Sequence, residues 1–302
     1  MEVHENSTRV KAPDTIRPIV QACLQKTNES SSSNPLGREG PDGKNKGCKL
    51  IKCKTYLQVG TFNARTLKNN QKRMELANNI NKCKLNILGI VDHKIVHDDD
   101  PTKIENLQRC TLITTSAWRN TNGAAAGGVG ILVDSHSEKS LAEIKPINNR
   151  IMVAVFNGNP NTTVVVNYAP VERSEEAEEH YKMLSNVINS IPKRHVIIEC
   201  GDFNAHLGRD NFKYAFHEKT NSNGSLLLEH ATESDLHITN TLFKKKKSRQ
   251  WTFISDMNGA KSQIDYILVN KKWKNSVHNT EAYNSFSKRH ILLLVVWEVT
   301  IA

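Results

Sequence analysis

The chain has 302 residues, of which 38% are hydrophobic, and it carries a formal net charge of +10 with an isoelectric point near 9.3. Its length allows one large domain or two small ones, since a typical domain has roughly 150 residues. No stretch approaches the roughly 20 apolar residues that span a bilayer, and the six cysteines form no C-x-x-C pair. A spanning helix and the common zinc-binding patterns are therefore excluded.

The first 50 residues are predicted to form a disordered leader. They contain the serine run Ser30–Ser33 and four glycines between residues 37 and 47. Their apolar residues are too sparse to offset the entropy cost of ordering the chain. The polar start of the chain also lacks the apolar core of a secretory signal. We therefore expect an intracellular protein with reduced thiols and no membrane contact.

Residues 55–298 are predicted to form one folded domain of the α/β class, because short apolar strands alternate there with amphipathic helices. Strands are expected at 56–62, 85–91, 129–133, 151–156, 163–166, 196–198, 251–254, 264–269 and 291–297. Helices are expected at 72–84, from 174 to the residue before Pro192, and at 226–236. The strands at 151–156 and 163–166 are expected to pair as a hairpin.

Polar side chains follow several of these strands at the point where the apolar run ends. They are Asn63, Asp92, Asn167 with Tyr168, and Asp202 with Asn204. Asp265 instead interrupts an apolar strand, between Ile264 and Tyr266. Strand ends are rigid and can converge at one edge of a sheet pair, where they hold a site more accurately than loops do. Carboxylate and amide oxygens suit Mg²⁺, and a carboxylate can activate a water that attacks a phosphate.

Each of these residues also has an ordinary structural interpretation. A lone Asp or Asn after a strand is typical of a turn or a helix cap. Asp265 is harder to explain in this way, because burying a charge without a partner is costly. The sequence Gly201-Asp202-Phe203-Asn204 directly after a buried strand is more specific than any single residue, and five such positions in order favour a catalytic site.

Four motifs resemble, in order, those of the endonuclease/exonuclease/phosphatase superfamily. They are Gly60-Thr61-Phe62-Asn63, Asn167-Tyr168-Ala169-Pro170, Gly201-Asp202-Phe203-Asn204-Ala205-His206 and Gln263-Ile264-Asp265-Tyr266. More narrowly, residues 111–119 and 265–274 are similar to endonuclease domains of RTE-type non-LTR retrotransposons and to craniofacial development protein 2-like proteins. The resemblance implies a DNase I-like, four-layer α/β/β/α sandwich with two mixed sheets face to face.

The resemblance also implies a role for each matched residue. Asp202 positions or activates the attacking water, and Asn204 stabilises the charge that develops beside it. Asp92 stands where the family has a metal-binding Glu, and Asn63 helps to arrange the metal and the phosphate. Tyr168 contacts the phosphate. Asp265 orients a histidine near the chain end, for which His290 is the candidate. The implied cofactor is Mg²⁺, with Mn²⁺ as an alternative.

Two departures from the family pattern place the metal-binding half of this site in question. Asp92 is one methylene shorter than Glu, and the family's usual Gln-Glu pair is missing. The family typically ends with Ser-Asp-His, whereas this chain has Ser287-Lys288-Arg289-His290, so Arg289 takes the place of an acid. We therefore expect a metal-dependent phosphodiesterase whose catalysis is impaired by Asp92 and Arg289.

DNA is the expected partner, because the retrotransposon resemblance and the basic charge both favour it. The run Lys244–Lys247 has three possible interpretations: a contact with a nucleic-acid backbone, a nuclear import signal or a solvated loop. No obligate protein partner is indicated. Two alternative functions stay open, namely a catalytically inactive DNA-binding or interaction module on the same fold, and a phosphatase that acts on a soluble or lipid phosphate.

Overall fold

The computed structural model describes residues 56–97, 100–283 and 292–298, with backbone alone for Tyr56 and for 292–298. These residues all fall within one of the two compact units of the chain, Cys48–Ala302. The predicted leader, Arg289 and His290 lie outside the described residues.

The strands are numbered β1 to β17 in chain order. They are β1 (Tyr56–Asn63), β2 (Ile87–Val91), β3 (Thr102–Leu107), β4 (Cys110–Thr115), β5 (Trp118–Arg119), β6 (Ala125–Ala126), β7 (Val129–Asp134), β8 (Leu141–Pro146), β9 (Ile151–Phe156), β10 (Thr162–Tyr168), β11 (Val196–Asp202), β12 (Leu236–Ile238), β13 (Phe253–Ile254), β14 (Lys261–Ser262), β15 (Asp265–Asn270), β16 (Val277–Tyr283) and β17 (Leu292–Glu298). One sheet has the order β16-β17-β1-β2-β7-β4-β3, and the other has the order β12-β15-β11-β10-β9-β8. Two small hairpins, β5–β6 and β13–β14, stand apart from both sheets.

The helices cover the outer faces of the two sheets. They are α1 (Asn70–Lys82), the short α2 (Ser135–Glu138), α3 (Ala177–Ser190) and α4 (Ser222–Glu233). Helix α1 packs on the first sheet through Leu76, Ala77 and Ile80. Helices α3 and α4 pack on the second sheet, where Leu184 and Leu227 belong to the same apolar cluster. The resulting order of layers is helix, sheet, sheet, helices.

Alternation along the strands fills the cores on both faces of each sheet. In β10, Val164 and Val166 point into the core between the sheets, whereas Val165 points toward α3 and α4. In β2, Ile87 faces the opposite sheet and Leu88 faces α1. Because successive side chains of a strand point to opposite faces, strands buried on both faces read as continuous apolar runs.

Most of the predicted elements are present, with shifted ends. The predicted hairpin is confirmed, since β9 and β10 pair antiparallel. The helix predicted at 226–236 was placed too late. It begins at Ser222 because the side chain of Asn221 accepts a hydrogen bond from the Gly224 N–H, and it ends at Glu233. A left-handed residue, Asp235 with φ +53°, then turns the chain into β12.

The edge strands β3, β8 and β16 were not predicted. Their side chains mix exposed and half-buried positions with only a few buried ones, so they lack the apolar runs that mark the central strands. Within the part of the chain that the structure describes, no helix has the length and apolar character to cross a membrane.

Candidate active site

Two parallel strand pairs bring the predicted site residues to one edge of the sandwich. β1 runs parallel to β2 with Asn63 beside Val91, the residue before Asp92. β10 runs parallel to β11 with Tyr168 beside Asp202. β15 runs antiparallel to β11, so its first residue, Asp265, lies directly opposite Asp202. Parallel strands end on the same side of a sheet, and the functional side chains therefore gather there.

The carboxylate of Asp202 is held from two sides and is 2% exposed. The backbone N–H of Asn204 donates to Oδ1 over 2.9 Å, and Nδ2 of Asn63 donates to Oδ2 over 3.0 Å. Burial raises the pKa of Asp202 to about 6, the two hydrogen bonds oppose that rise, and Asp92 adds to it. A base whose pKa lies near neutrality can both accept and release a proton.

Asn204 follows in a left-handed conformation with φ +47°. Its Nδ2 donates to the carbonyl of Ala169 over 2.8 Å, which joins the end of β11 to the residue after β10. Its own carbonyl accepts a hydrogen bond from Nδ2 of Asn223. The amide is therefore fixed at the cleft wall, and its role toward a developing charge stays a prediction.

Asp92 is engaged rather than free. Its Oδ1 accepts a hydrogen bond from the Gly127 N–H over 3.1 Å, and its Oδ2 lies 3.4 Å from the ammonium of Lys94. The side chain is 13% exposed. Burial raises the pKa of Asp92, while Lys94, Gly127 and the more distant charge of Arg65 lower it.

Tyr168 stands in a group of stacked side chains beside the cleft. Its ring lies 6.2 Å from that of Trp118 at an angle of 29°. The guanidinium of Arg150 sits 4.3 Å above Trp118 and 5.6 Å from the ring of Tyr168. Burial raises the pKa of Tyr168, and the nearby acids Asp92 and Asp202 raise it further. The phenol is therefore protonated at neutral pH and can donate a hydrogen bond.

Asp265 lies behind the cleft rather than in its wall. Its backbone N–H donates to Oγ1 of Thr252, and its buried Oδ1 has no hydrogen-bond partner among the described residues. Burial raises the pKa of Asp265 well above its ordinary value, and the charge of Asp202 adds to the rise. Because His290 and Arg289 lie outside the described residues, the orienting role of Asp265 stays a prediction.

The gathered residues face an open cleft of about 400 Å³. Among the predicted site residues, the cleft wall contains Asn63, Asp92, Tyr168, Asp202 and Asn204. Sequence reasoning missed the other lining residues, which are Arg65, Lys94, Glu172, His206, Asn221, Phe253, Ser262 and Ile264. Arg65 and Lys94 could have been found from the sequence, because each is a basic residue two positions after a predicted site residue, Asn63 or Asp92, on the turn that follows a strand.

A family sequence profile, that of the endonuclease/exonuclease/phosphatase family, matches residues 60–281. The chain belongs to the endonuclease/exonuclease/phosphatase family. It is 27% identical over 263 residues to craniofacial development protein 2 of Bos taurus, an alignment that covers 84% of this chain and 43% of that protein. The chain thus spans less than half the length of this curated relative. Membership makes it a relative of hydrolytic nucleases and phosphatases.

Solved structures of the family share the fold. The endonuclease domain of TRAS1, a telomere-specific non-LTR retrotransposon, superposes with a TM-score of 0.58 and 17% identity, covering 82% of this chain and 100% of that one. The 3′ phosphatase NExo from Neisseria, solved with a product DNA hairpin, gives a TM-score of 0.62 and 14% identity, covering 80% and 99%. The predicted α/β sandwich and the predicted resemblances are confirmed.

The residues predicted to hold a cation carry oxygen atoms that suit Mg²⁺ or Mn²⁺ as ligands. Asp92 and Asn63 both line the cleft and carry hard oxygen atoms. Within the described ranges, no group of three or more His, Cys, Asp or Glu is arranged to hold a metal. Mg²⁺ commonly takes one or two protein carboxylates and completes its shell with water and substrate phosphates. The donor set therefore fits a Mg²⁺ or Mn²⁺ ion shared with a phosphate.

Buried histidines give this domain an acid-sensitive stability. His93, directly after Asp92, is fully buried, and its Nδ1 accepts the Ile95 N–H while its Nε2 lies 3.2 Å from the Val129 carbonyl oxygen. Burial lowers the pKa of His93 to about 4, and likewise that of His217 to about 4 and that of His180 to about 3. Each ring is therefore neutral in the folded state.

We expect these histidines to lower the free energy of unfolding as the pH drops from about 6.5 toward 4, because the unfolded chain protonates them there and the folded chain does not. Asp202 and Asp265, whose pKa values are raised in the folded chain, act in the opposite direction. Each histidine contributes a slope of up to about 1.4 kcal/mol per pH unit in that window. Urea denaturation between pH 7.5 and 4.5 measures the slope. On acidification His93→Gln should lose less stability than wild type, and the exposed His136→Gln should lose as much as wild type; equal losses in wild type and His93→Gln would contradict the assignment.

Proposed function

We propose that this chain is a metal-dependent phosphodiesterase that acts on DNA as an endonuclease. The observation that carries the proposal is the buried carboxylate of Asp202, held by Asn63 and by the Asn204 N–H at the floor of a cleft that Asp92 and Tyr168 also line. This arrangement supplies a base for water, neutral hydrogen-bond donors for a phosphate and oxygen donors for a cation in one place.

The residues divide the reaction between them. Asp202 takes a proton from the attacking water while the water oxygen bonds to phosphorus. The phosphorus–oxygen bond to the leaving group breaks in the same reaction, and the leaving oxygen takes up a proton from solvent. The phenolic O–H of Tyr168 donates a hydrogen bond to a non-bridging phosphate oxygen, and Asn204 faces the charge that develops there. Asp92 and Asn63 would hold Mg²⁺ or Mn²⁺, which would supply positive charge against the phosphate. Asp265 orients a histidine, for which His290 is our candidate.

The hairpin β13–β14 on the cleft rim supports a polymeric substrate. Phe253 and Ser262 from its two strands line the cleft, and Met257 at its tip is 97% exposed. Arg65 fixes the hairpin by bonding Asp256 over 2.7 Å and by stacking on Phe253. Exposed apolar side chains beside a groove can wedge between DNA base steps. A net charge of +10 favours the same polyanion.

We further propose that the catalytic domain comprises residues 55–298 and descends from a retrotransposon endonuclease. The family profile over residues 60–281 supports the extent of the domain, and the similarity to the TRAS1 endonuclease domain supports the origin. NExo, whose structure contains a product DNA hairpin, supports DNA as the class of ligand.

Nicking of supercoiled plasmid tests the proposal. The purified chain should convert supercoiled DNA to open circles with Mg²⁺ or Mn²⁺ and not with EDTA, and it should leave a small soluble phosphoester intact. Hydrolysis of the small ester alone would favour a phosphatase. DNA binding in a gel-shift assay without nicking would favour the inactive module.

The inactive module is supported by Arg289, which stands where the family pattern has an acid. If Arg289 impairs a working site, Arg289→Asp should raise the metal-dependent nicking rate by at least about tenfold, since a repulsive charge becomes an attractive one. Lys288→Asp is the matched control and should leave the rate nearly unchanged. An unchanged rate in Arg289→Asp would mean that the terminal motif is misplaced or that the acid is dispensable.

A further inference from the structure

The ammonium of Lys94 already sits against the carboxylate that the proposed function assigns to a divalent cation. Its Nζ is 3.4 Å from Oδ2 of Asp92, and both side chains line the cleft. The pair is largely shielded, with Lys94 33% and Asp92 13% exposed. Shielding strengthens an ion pair relative to one on the open surface.

The backbone holds this pair in place. Asp92 and Lys94 both have left-handed conformations, with φ +55° and +58°. The Lys94 N–H donates to the Gly127 carbonyl over 2.9 Å, while the Gly127 N–H donates to Oδ1 of Asp92 over 3.1 Å. His93 lies between them in the sequence and is buried. Its ring fixes the turn through contacts with Ile95 and Val129. The two charged groups are therefore presented to each other by one anchored turn.

We propose that Lys94 is an internal counter-ion that competes with the divalent cation for Asp92. This inference rests on the proposed role of Asp92 as a cation ligand. One carboxylate oxygen cannot hold the ammonium at 3.4 Å and a Mg²⁺ or Mn²⁺ ion at bonding distance without strong repulsion between the two cations. A bound cation would therefore displace Lys94 from Oδ2, and the loss of the ion pair would lower the affinity for the cation.

Lys94 also differs from the other basic residue of the cleft wall. Arg65 lies near enough to act on Asp92, but its guanidinium is bonded to Asp256 and to the Ile254 carbonyl rather than to Asp92. A comparison of the two residues therefore separates direct competition from general repulsion between positive charges.

Direct measurement of Mn²⁺ binding tests the inference without recourse to activity. The free Mn²⁺ signal in electron paramagnetic resonance gives the Kd for wild type, Lys94→Met, Lys94→Gln, Lys94→Arg and Arg65→Met. We expect Lys94→Met and Lys94→Gln to lower the Kd about three- to tenfold. Lys94→Arg, which keeps the charge and the reach, should match wild type. Arg65→Met should change the Kd less than Lys94→Met does.

Asp92→Asn locates the measured ion and should weaken Mn²⁺ binding in the wild-type and Lys94→Met backgrounds alike. An unchanged or higher Kd in both neutral Lys94 variants overturns the competition, as does an equal effect of Arg65→Met. A Kd for Mn²⁺ that is unchanged by Asp92→Asn also overturns it. If the Kd values follow the expected order while plasmid is never nicked, the competition stands and the proposed nuclease activity fails.

Discussion

Replacement of Asp202 by Asn is expected to reduce plasmid nicking by at least about a thousandfold. A general base typically contributes between a hundredfold and ten-thousandfold to a rate. The amide has nearly the same shape as the carboxylate, but it cannot take a proton from water. The new NH₂ group would also face a donor, since the Asn204 N–H bonds one oxygen of the present carboxylate and Asn63 Nδ2 bonds the other.

The control for this variant is Asp235→Asn. Asp235 lies 74% exposed beside the opposite end of β15, where the next residue, Leu236, pairs with Asn270. Its nicking rate should equal that of wild type, and both variants should retain affinity for a labelled duplex in fluorescence anisotropy. Nicking by Asp202→Asn at the wild-type rate would remove Asp202 from the mechanism.

Replacement of Gly201 by Ala is expected to lower the free energy of unfolding by about 3–5 kcal/mol. Gly201 has φ +154°, a conformation that side chains disfavour, and an added Cβ would lie 1.7 Å from the carbonyl oxygen of Asn167. That oxygen belongs to the neighbouring strand β10, so relief requires two paired strands to separate directly beneath Asp202. Urea denaturation measures the loss as a lower midpoint at an unchanged slope.

Gly123→Ala separates the clash from the cost of backbone conformation. Gly123 has φ +74°, and an added Cβ meets nothing within 4 Å. Only the conformational penalty of about 1–2 kcal/mol then applies. Equal losses for the two variants would show that the approach of Asn167 to Gly201 does not matter for stability.

The half of the site that belongs to strand ends could be predicted from the sequence. Asp202 and Tyr168 each end an apolar run that must be buried, and each lies in one of the family-like motifs. Once β10 and β11 pair in parallel, the two side chains reach the same edge without further information. The family resemblance supplied the sandwich architecture, and the structure supplied the parallel pairing of these two strands.

The other half depends on contacts that sequence spacing does not encode. The pairing of Lys94 with Asp92 needs two left-handed residues in one turn, and neither position is a glycine that would have signalled them. The stacking of Trp118 on Tyr168 joins a short hairpin to a distant strand end. Edge strands were missed for a related reason, because half-exposed strands lack the apolar runs used to find them.

Because the cleft residues come from two sheets, the geometry of the site depends on the relative position of those sheets. Asn63 and Asp92 come from one sheet, whereas Tyr168, Asp202 and Asp265 come from the other, and the 3.0 Å bond from Asn63 to Asp202 bridges them. Neither sheet carries a complete site. A substitution that lets the sheets slide, such as one at Val166 in the shared core, would therefore misalign the proposed catalytic residues before it unfolded the chain.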